Sequence, residues 1–275
     1  MKFAICNETF NDRSVEEGFA LAAECGYEGI EIAPFTLAAY VTELPPSRRT
    51  EIRRSIEKCG LATVGLHWLL AKTEGFHLTS PDPDVRLRTQ EYLKELARCC
   101  ADLGGRVLVL GSPQQRNVLP ETTRTQAENY ALSVLEGILP ELERTGTILA
   151  LEPLGPQETN FVNTAEEAVM IIRKLSSPHI QLHLDCKAMA SEAIPIPELI
   201  RTHSQYLAHF HANDPNRLGP GFGELDFIPI FKALLNVGYP GWVSVEVFDY
   251  QPGPERIARE SIGYMQRCLA EARRR

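Results

Sequence analysis

Four polar residues each close an apolar, β-rich run in the C-terminal half of the chain: Glu152 in TILALEP, Asp185 in IQLHLDC, His211 in YLAHFHA and Glu246 in WVSVEVF. Alternation with a period of two puts 148, 150 and 152 on one side of the first run. The same holds for 181, 183 and 185, for 207, 209 and 211, and for 242, 244 and 246. All four polar ends can therefore face one opening. Three carboxylates and an imidazole suit Mn²⁺, Mg²⁺ or Co²⁺, because oxygen donors predominate and no thiolate is offered; Zn²⁺ is also compatible. Taken singly, each residue reads equally well as a strand-end polar group satisfied by loop backbone or an ion pair. Taken together, three carboxylates buried in one place are costly without a cation.

The elements that must position these residues repeat from end to end. Eight strand-like runs, at 2–7, 29–34, 61–68, 106–111, 147–153, 180–186, 206–212 and 242–248, alternate with amphipathic stretches. The helical patterns cover 15–25, 48–59, 84–103, 125–144, 164–175, 227–237 and 254–273, with a shorter one at 196–204. Ser47, Thr164 and Asp226 suit helix N-caps, and Gly26, Gly60, Gly146 and Gly238 suit left-handed helix ends just before strands. Strands alternating with helices favour a parallel sheet joined by right-handed crossovers, and eight such units match a closed (β/α)8 barrel. A doubly wound open sheet is the competing α/β architecture, but it wants a glycine-rich turn after the first strand, and CNETFND contains no glycine. With no long Gly/Ser linker or low-complexity insert, residues 1–275 read as a single TIM barrel domain. Chemistry in such a barrel sits at the carboxyl ends of the strands, where the four polar residues fall.

Composition narrows the partners. The net charge of −8 disfavours nucleic acid, whose binding draws on Lys and Arg. No stretch approaches the roughly 18 uninterrupted apolar residues of a membrane span, and MKFAICNETF lacks the pattern of a secretory leader. The seven cysteines are scattered and without CxxC spacing, which fits a reducing compartment and a cytoplasmic location. Such barrels often self-associate, which leaves a homo-oligomer open, although no apolar surface for it can be assigned from the sequence.

The motifs LEP with Glu152, HLD with Asp185, HFHANDPNR with His211 and VEVF with Glu246 resemble the xylose-isomerase-like barrel superfamily of sugar isomerases and epimerases over essentially the full length. The closest likeness is to the branch of the D-tagatose and D-psicose 3-epimerases. That resemblance implies a divalent metal, Mn²⁺ first, held by Glu152, Asp185, His211 and Glu246, with Glu152 and Glu246 also the acid/base pair. It implies substrate contacts at Glu158 and Arg217 as well. The pattern breaks at Ala188, where those epimerases carry a histidine three residues after the metal aspartate; Lys187 is the candidate replacement donor. The glycine-rich GPGFGELDF resembles a loop recurring in the superfamily.

The chemistry so implied is proton removal beside a carbonyl, which needs stabilisation of the enediolate and a base within hydrogen-bond reach. Carboxylates on opposite faces of the carbon favour epimerisation, whereas one face suffices for isomerisation. A keto-sugar or related small carbohydrate is the expected substrate. A dehydratase of inosose or dehydroshikimate type is the alternative on the same barrel. His67 is a further candidate for substrate contact, with Trp68 beside it as packing or a sugar-facing wall. His183 and His209 alternate with Asp185 and His211 one layer deeper, and read as hydrogen-bonded barrel histidines. Asn7 and Glu8, at the end of the first strand, read as solvent-facing loop residues, with substrate contact the alternative.

Overall fold

The computed structural model describes residues 1–274. The chain runs β1 (Lys2–Cys6), α1 (Val15–Cys25), β2 (Gly29–Ile32), α2 (Pro46–Lys58), β3 (Ala62–Leu66), α3 (Pro83–Asp102), β4 (Val107–Leu110), α4 (Arg124–Thr145) and β5 (Ile148–Leu151). It continues through α5 (Ala165–Leu175), β6 (Ile180–Asp185), α6 (Cys186–Met189), α7 (Ile196–His203), β7 (Leu207–Ala212), α8 (Phe227–Asn236), β8 (Trp242–Val245) and α9 (Pro254–Arg274). All neighbouring strands are parallel, and β1 pairs with β8, so the sheet is a closed (β/α)8 barrel. That closure removes the open-sheet alternative. No helix among the described residues is long and apolar enough to cross a membrane.

Local chemistry sets most boundaries. Ser14 caps α1 in a reciprocal box with Glu17, and Gly26 ends it in the left-handed conformation. Thr164 and Asp226 cap α5 and α8 as expected. At α2 the cap is Pro45 rather than Ser47, because Pro46 supplies a preset φ at the first helical position. Helix α6 was not foreseen: the Asp185 side chain accepts from the Ala188 N–H and starts a short turn directly off the strand.

Strand alternation divides the packing into two layers. Ile30, Ile32, Leu182, Leu184, Phe210, Val243 and Val245 belong to the large apolar core that includes the helices. Only Val107, Val109 and Ala150 form a second, small apolar cluster. Much of the remaining interior is polar: Glu31, His183, His209 and Ser244 are all fully buried. Barrel interiors are more often filled with branched apolar side chains, so this polar stack calls for a functional reading.

One glycine is set by the barrel's closure. A Cβ on Gly65 would lie 1.9 Å from the Val107 carbonyl oxygen, where β3 pairs with β4. Gly65→Ala is expected to destabilise the protein by about 3 kcal/mol, the upper part of the range for overpacking, since the obstacle is backbone. Urea denaturation with an unchanged midpoint would show that β3 shifts freely.

Candidate active site

A cleft of about 410 Å³ opens at the carboxyl ends of the strands, with Trp68, Phe248 and Leu154 as apolar wall and Glu152, Glu158 and Glu246 as acids. Glu152 follows β5 directly, and its backbone N–H still donates to the Leu110 carbonyl at 3.2 Å. Its carboxylate fits because residue 111 has no side chain: a Cβ there would stand 1.6 Å from Oε2 of Glu152. Beneath this corner Arg116 is almost wholly buried; its Nη1 donates to the Glu152 carbonyl at 2.6 Å and its Nη2 to the Leu110 carbonyl. Arg116 thus ties the ends of β4 and β5 together. The sequence showed it only as the last residue of LGSPQQR.

Asp185 ends β6 with both carboxylate oxygens engaged, Oδ1 by the Ala188 N–H at 2.8 Å and Oδ2 by the Asn213 side-chain amide at 2.5 Å. His211 ends the inward row of β7. Its Nδ1 lies 3.2 Å from Oε2 of Glu246, and its Nε2 lies 3.1 Å from Oε1 of Glu31 on the far side of the barrel. Glu31 also meets Nε2 of His209 at 2.8 Å. Glu31 was missed in the sequence, although an acid at the inward position of GIEI was a usable signal.

Glu246 follows β8 and is gripped by three side chains. The Trp68 Nε1–H donates to its Oε1 at 2.6 Å, His67 Nδ1 lies 3.2 Å from the same oxygen, and His211 takes the other. His67 turns its second nitrogen to Oε2 of Glu8 at 2.9 Å, completing a buried Glu8, His67, Glu246 chain. With both nitrogens committed and no exposure, His67 stands behind Glu246 rather than on the cleft wall, where Trp68 lies instead. Glu8 is likewise buried rather than loop-exposed. Trp68 adopts φ of 52°, a left-handed value that bulky residues seldom take, and its indole stacks on Phe248 at 5.8 Å.

Of the other expected contacts, Glu158 lines the cleft and accepts from Lys187 Nζ at 2.7 Å, with that ammonium 4.7 Å from the Phe248 ring centroid. Arg217 is exposed and does not line the cleft; its carbonyl accepts from the N–H groups of Phe248 and Asp249. The deeper histidines divide. His209 is hydrogen-bonded to Glu31 as expected, but His183 has no hydrogen-bond partner at either nitrogen among the described residues.

The model of the xylose isomerase-like TIM barrel matches residues 19–268. The chain belongs to that family. Among curated proteins, this xylose isomerase-like barrel is 25% identical to the 3-dehydro-D-guloside 4-epimerase of Escherichia coli K12, over 98% of this chain and 100% of that protein. It is 28% identical to the D-psicose 3-epimerase of Ruminiclostridium cellulolyticum, over 82% of this chain and 75% of the relative. Among solved structures it superposes on D-psicose 3-epimerase from Clostridium cellulolyticum H10, crystallised with D-tagatose, with a TM-score of 0.86 at 22% identity, covering 98% of this chain and 99% of the other.

Within this family member the buried charges are unequal. Burial, then repulsion from Glu246 and Asp185, holds the Glu152 carboxyl well above its ordinary range. Burial and Glu246 push Asp185 up to about 6. Burial acts on Glu246 too, but His211 and His67 outweigh it and keep that carboxyl well below the usual range. Donor atoms of Glu152, His183, Asp185 and His211 all lie within 4.8 Å of one another, and those of Glu8, His67 and Glu246 form an adjoining group. A crowd of buried acids with imidazole among them is a donor set that fits a divalent ion, which would relieve the mutual repulsion.

Proposed function

We propose that this xylose isomerase-like barrel is a divalent-metal-dependent epimerase or isomerase of a keto-sugar. The observation that carries the reading is the split between two buried carboxyls at one cleft: burial and its acidic neighbours hold Glu152 well above the ordinary carboxyl range, while His211 and His67 hold Glu246 well below it. Neighbouring acids whose environments push them in opposite directions are suited to serve as proton donor and proton acceptor. The epimerase relatives support the reaction class.

Glu152, Asp185, His211 and Glu246 would hold the ion, which when bound supplies Lewis-acid stabilisation of the charge that develops beside the carbonyl. Mn²⁺ is the first candidate, with Mg²⁺, Co²⁺ and Zn²⁺ also compatible with the donors. Glu246 removes the carbon-bound proton and Glu152 delivers one from the other side; the roles exchange in the reverse direction. Trp68 and His67 fix the Glu246 carboxylate, and the Trp68 and Phe248 stack gives the sugar an apolar wall. Glu158 and Lys187 bind substrate oxygens as a pair, Lys187 serving in place of the histidine missing at Ala188.

The test is proton-to-deuterium exchange by NMR, with Mn²⁺-loaded protein in heavy water and a panel of free and phosphorylated ketoses, 3-keto glycosides, inososes and dehydroshikimate. Metal-dependent label at a carbon beside a carbonyl is expected, with an epimer or isomer as product. Loss of water as the product would assign the dehydratase chemistry instead, and no exchange from a metal-loaded protein would overturn the reading. Trp68→Phe keeps the ring and removes the donor to Glu246. Since a hydrogen bond to a charged group contributes about 1.5–3 kcal/mol, kcat is expected to fall roughly tenfold or more. An unchanged kcat would take Trp68 out of the positioning role.

A further inference from the structure

His183 lies on β6 two residues below Asp185, fully buried, with both ring nitrogens unpartnered among the described residues. Its neighbours contrast with it: His209 and His211 both reach Glu31, and His67 reaches Glu8 and Glu246. A buried polar group left without a partner costs about 1–3 kcal/mol, so it marks something the protein atoms alone do not supply.

The ring is aimed at the acids. Nε2 stands 3.9 Å from Oε1 of Glu152, too far for a hydrogen bond, and the imidazole meets the His211 ring edge-on at 4.2 Å. Two donors each about 2.1 Å from one ion stand about 3.0–3.9 Å apart when they subtend about 90–140°. The 3.9 Å gap between His183 and Glu152 lies within that range. Donor atoms of His183, Glu152, Asp185 and His211 also lie within 4.8 Å of one another; His183 is within the same reach of His209 and His211, but His209 is already bound to Glu31.

We propose that His183 is a ligand of the divalent ion, giving the site a second imidazole beside His211. This rests on the reading that the ion sits among the strand-end acids, and it adds a nitrogen donor to the four residues assigned above. Ligation accounts for one of the two ring nitrogens. Its consequence is metal choice: imidazole suits Zn²⁺ and other late first-row ions, whereas Mg²⁺ favours oxygen. The protein would then hold Zn²⁺ or Co²⁺ with an advantage over Mn²⁺ and Mg²⁺ larger than the single-imidazole set gives.

X-ray absorption at the zinc edge of the loaded wild-type protein counts the imidazoles directly. Two per ion are expected; one per ion, with a buried water on His183 instead, would overturn the proposal. Competition against a chelator supplies the second readout. His183→Gln is expected to lose at least about 100-fold in Zn²⁺ affinity, beyond the loss typical of removing a supporting residue, and much less in Mn²⁺ affinity. Equal losses for both ions, or none, would also overturn it. A wild-type protein that retains no ion would bring down the ion-site reading itself, an outcome distinct from normal Zn²⁺ binding with one imidazole.

Discussion

Glu246→Gln is expected to leave the barrel folded and to lower exchange of the substrate's carbon-bound proton by about a thousand-fold, within the range that a positioned general base contributes. Glutamine has nearly the same shape, and its amide oxygen can still accept from the Trp68 Nε1–H that now binds Glu246 at 2.6 Å. It cannot take a proton at neutral pH. The substitution also removes a negative charge between two imidazoles whose pKa values Glu246 helps to raise, His67 and His211. Burial opposes charge on both rings and would prevail more easily, so both should lose their protons at lower pH. NMR titration of the ring protons would read that shift separately from activity. Metal content must be measured alongside, because Glu246 also belongs to the proposed ligand set. Normal exchange by a folded, metal-loaded variant would remove Glu246 from the acid/base role.

Affinity for the divalent ion is expected to fall steeply as the pH drops through about 6, and chelation is expected to abolish exchange altogether. The sign follows from which form is favoured without the ion. Burial and Glu246 raise the Asp185 carboxyl to about 6, so below that pH a proton must be displaced before an oxygen can bind a cation. Glu152 is raised in the same direction, and His211 is raised too, because Glu31 and Glu246 outweigh the effect of burial, so that protons compete with the ion at both. Asp185 alone should cost about tenfold in affinity between about pH 7 and pH 5, and the other two groups steepen the slope. Calorimetry in buffers of different ionisation enthalpy should register proton release on binding. An affinity flat across this range would show that the acids are already ionised without the ion.

Several of these features were legible in the chain. All eight strands lie within the runs read from apolar alternation, and the expected direction of Glu152, Asp185, His211 and Glu246 follows from counting by twos. Helix ends marked by Gly26, Gly146, Thr164 and Asp226 were equally local, since a cap depends on residues three or four apart. The start of α2 at Pro46 and the turn of α6 were less so, because Pro46 took the first helical position ahead of Ser47, and Asp185 caps a helical turn that begins directly off its strand.

What the sequence by itself determined is therefore the barrel and the row of acids at its mouth, because both are written in short-range periodicity. Only closure of the barrel decided the rest. It set Glu31 of β2 against His209 and His211 of β7, threaded His67 between Glu8 and Glu246, and left His183 facing Glu152 without a hydrogen bond. Alternation says which side of a strand a residue faces. Which residue it meets across the interior is fixed by strand tilt and register around the whole ring, a distance that no local pattern encodes.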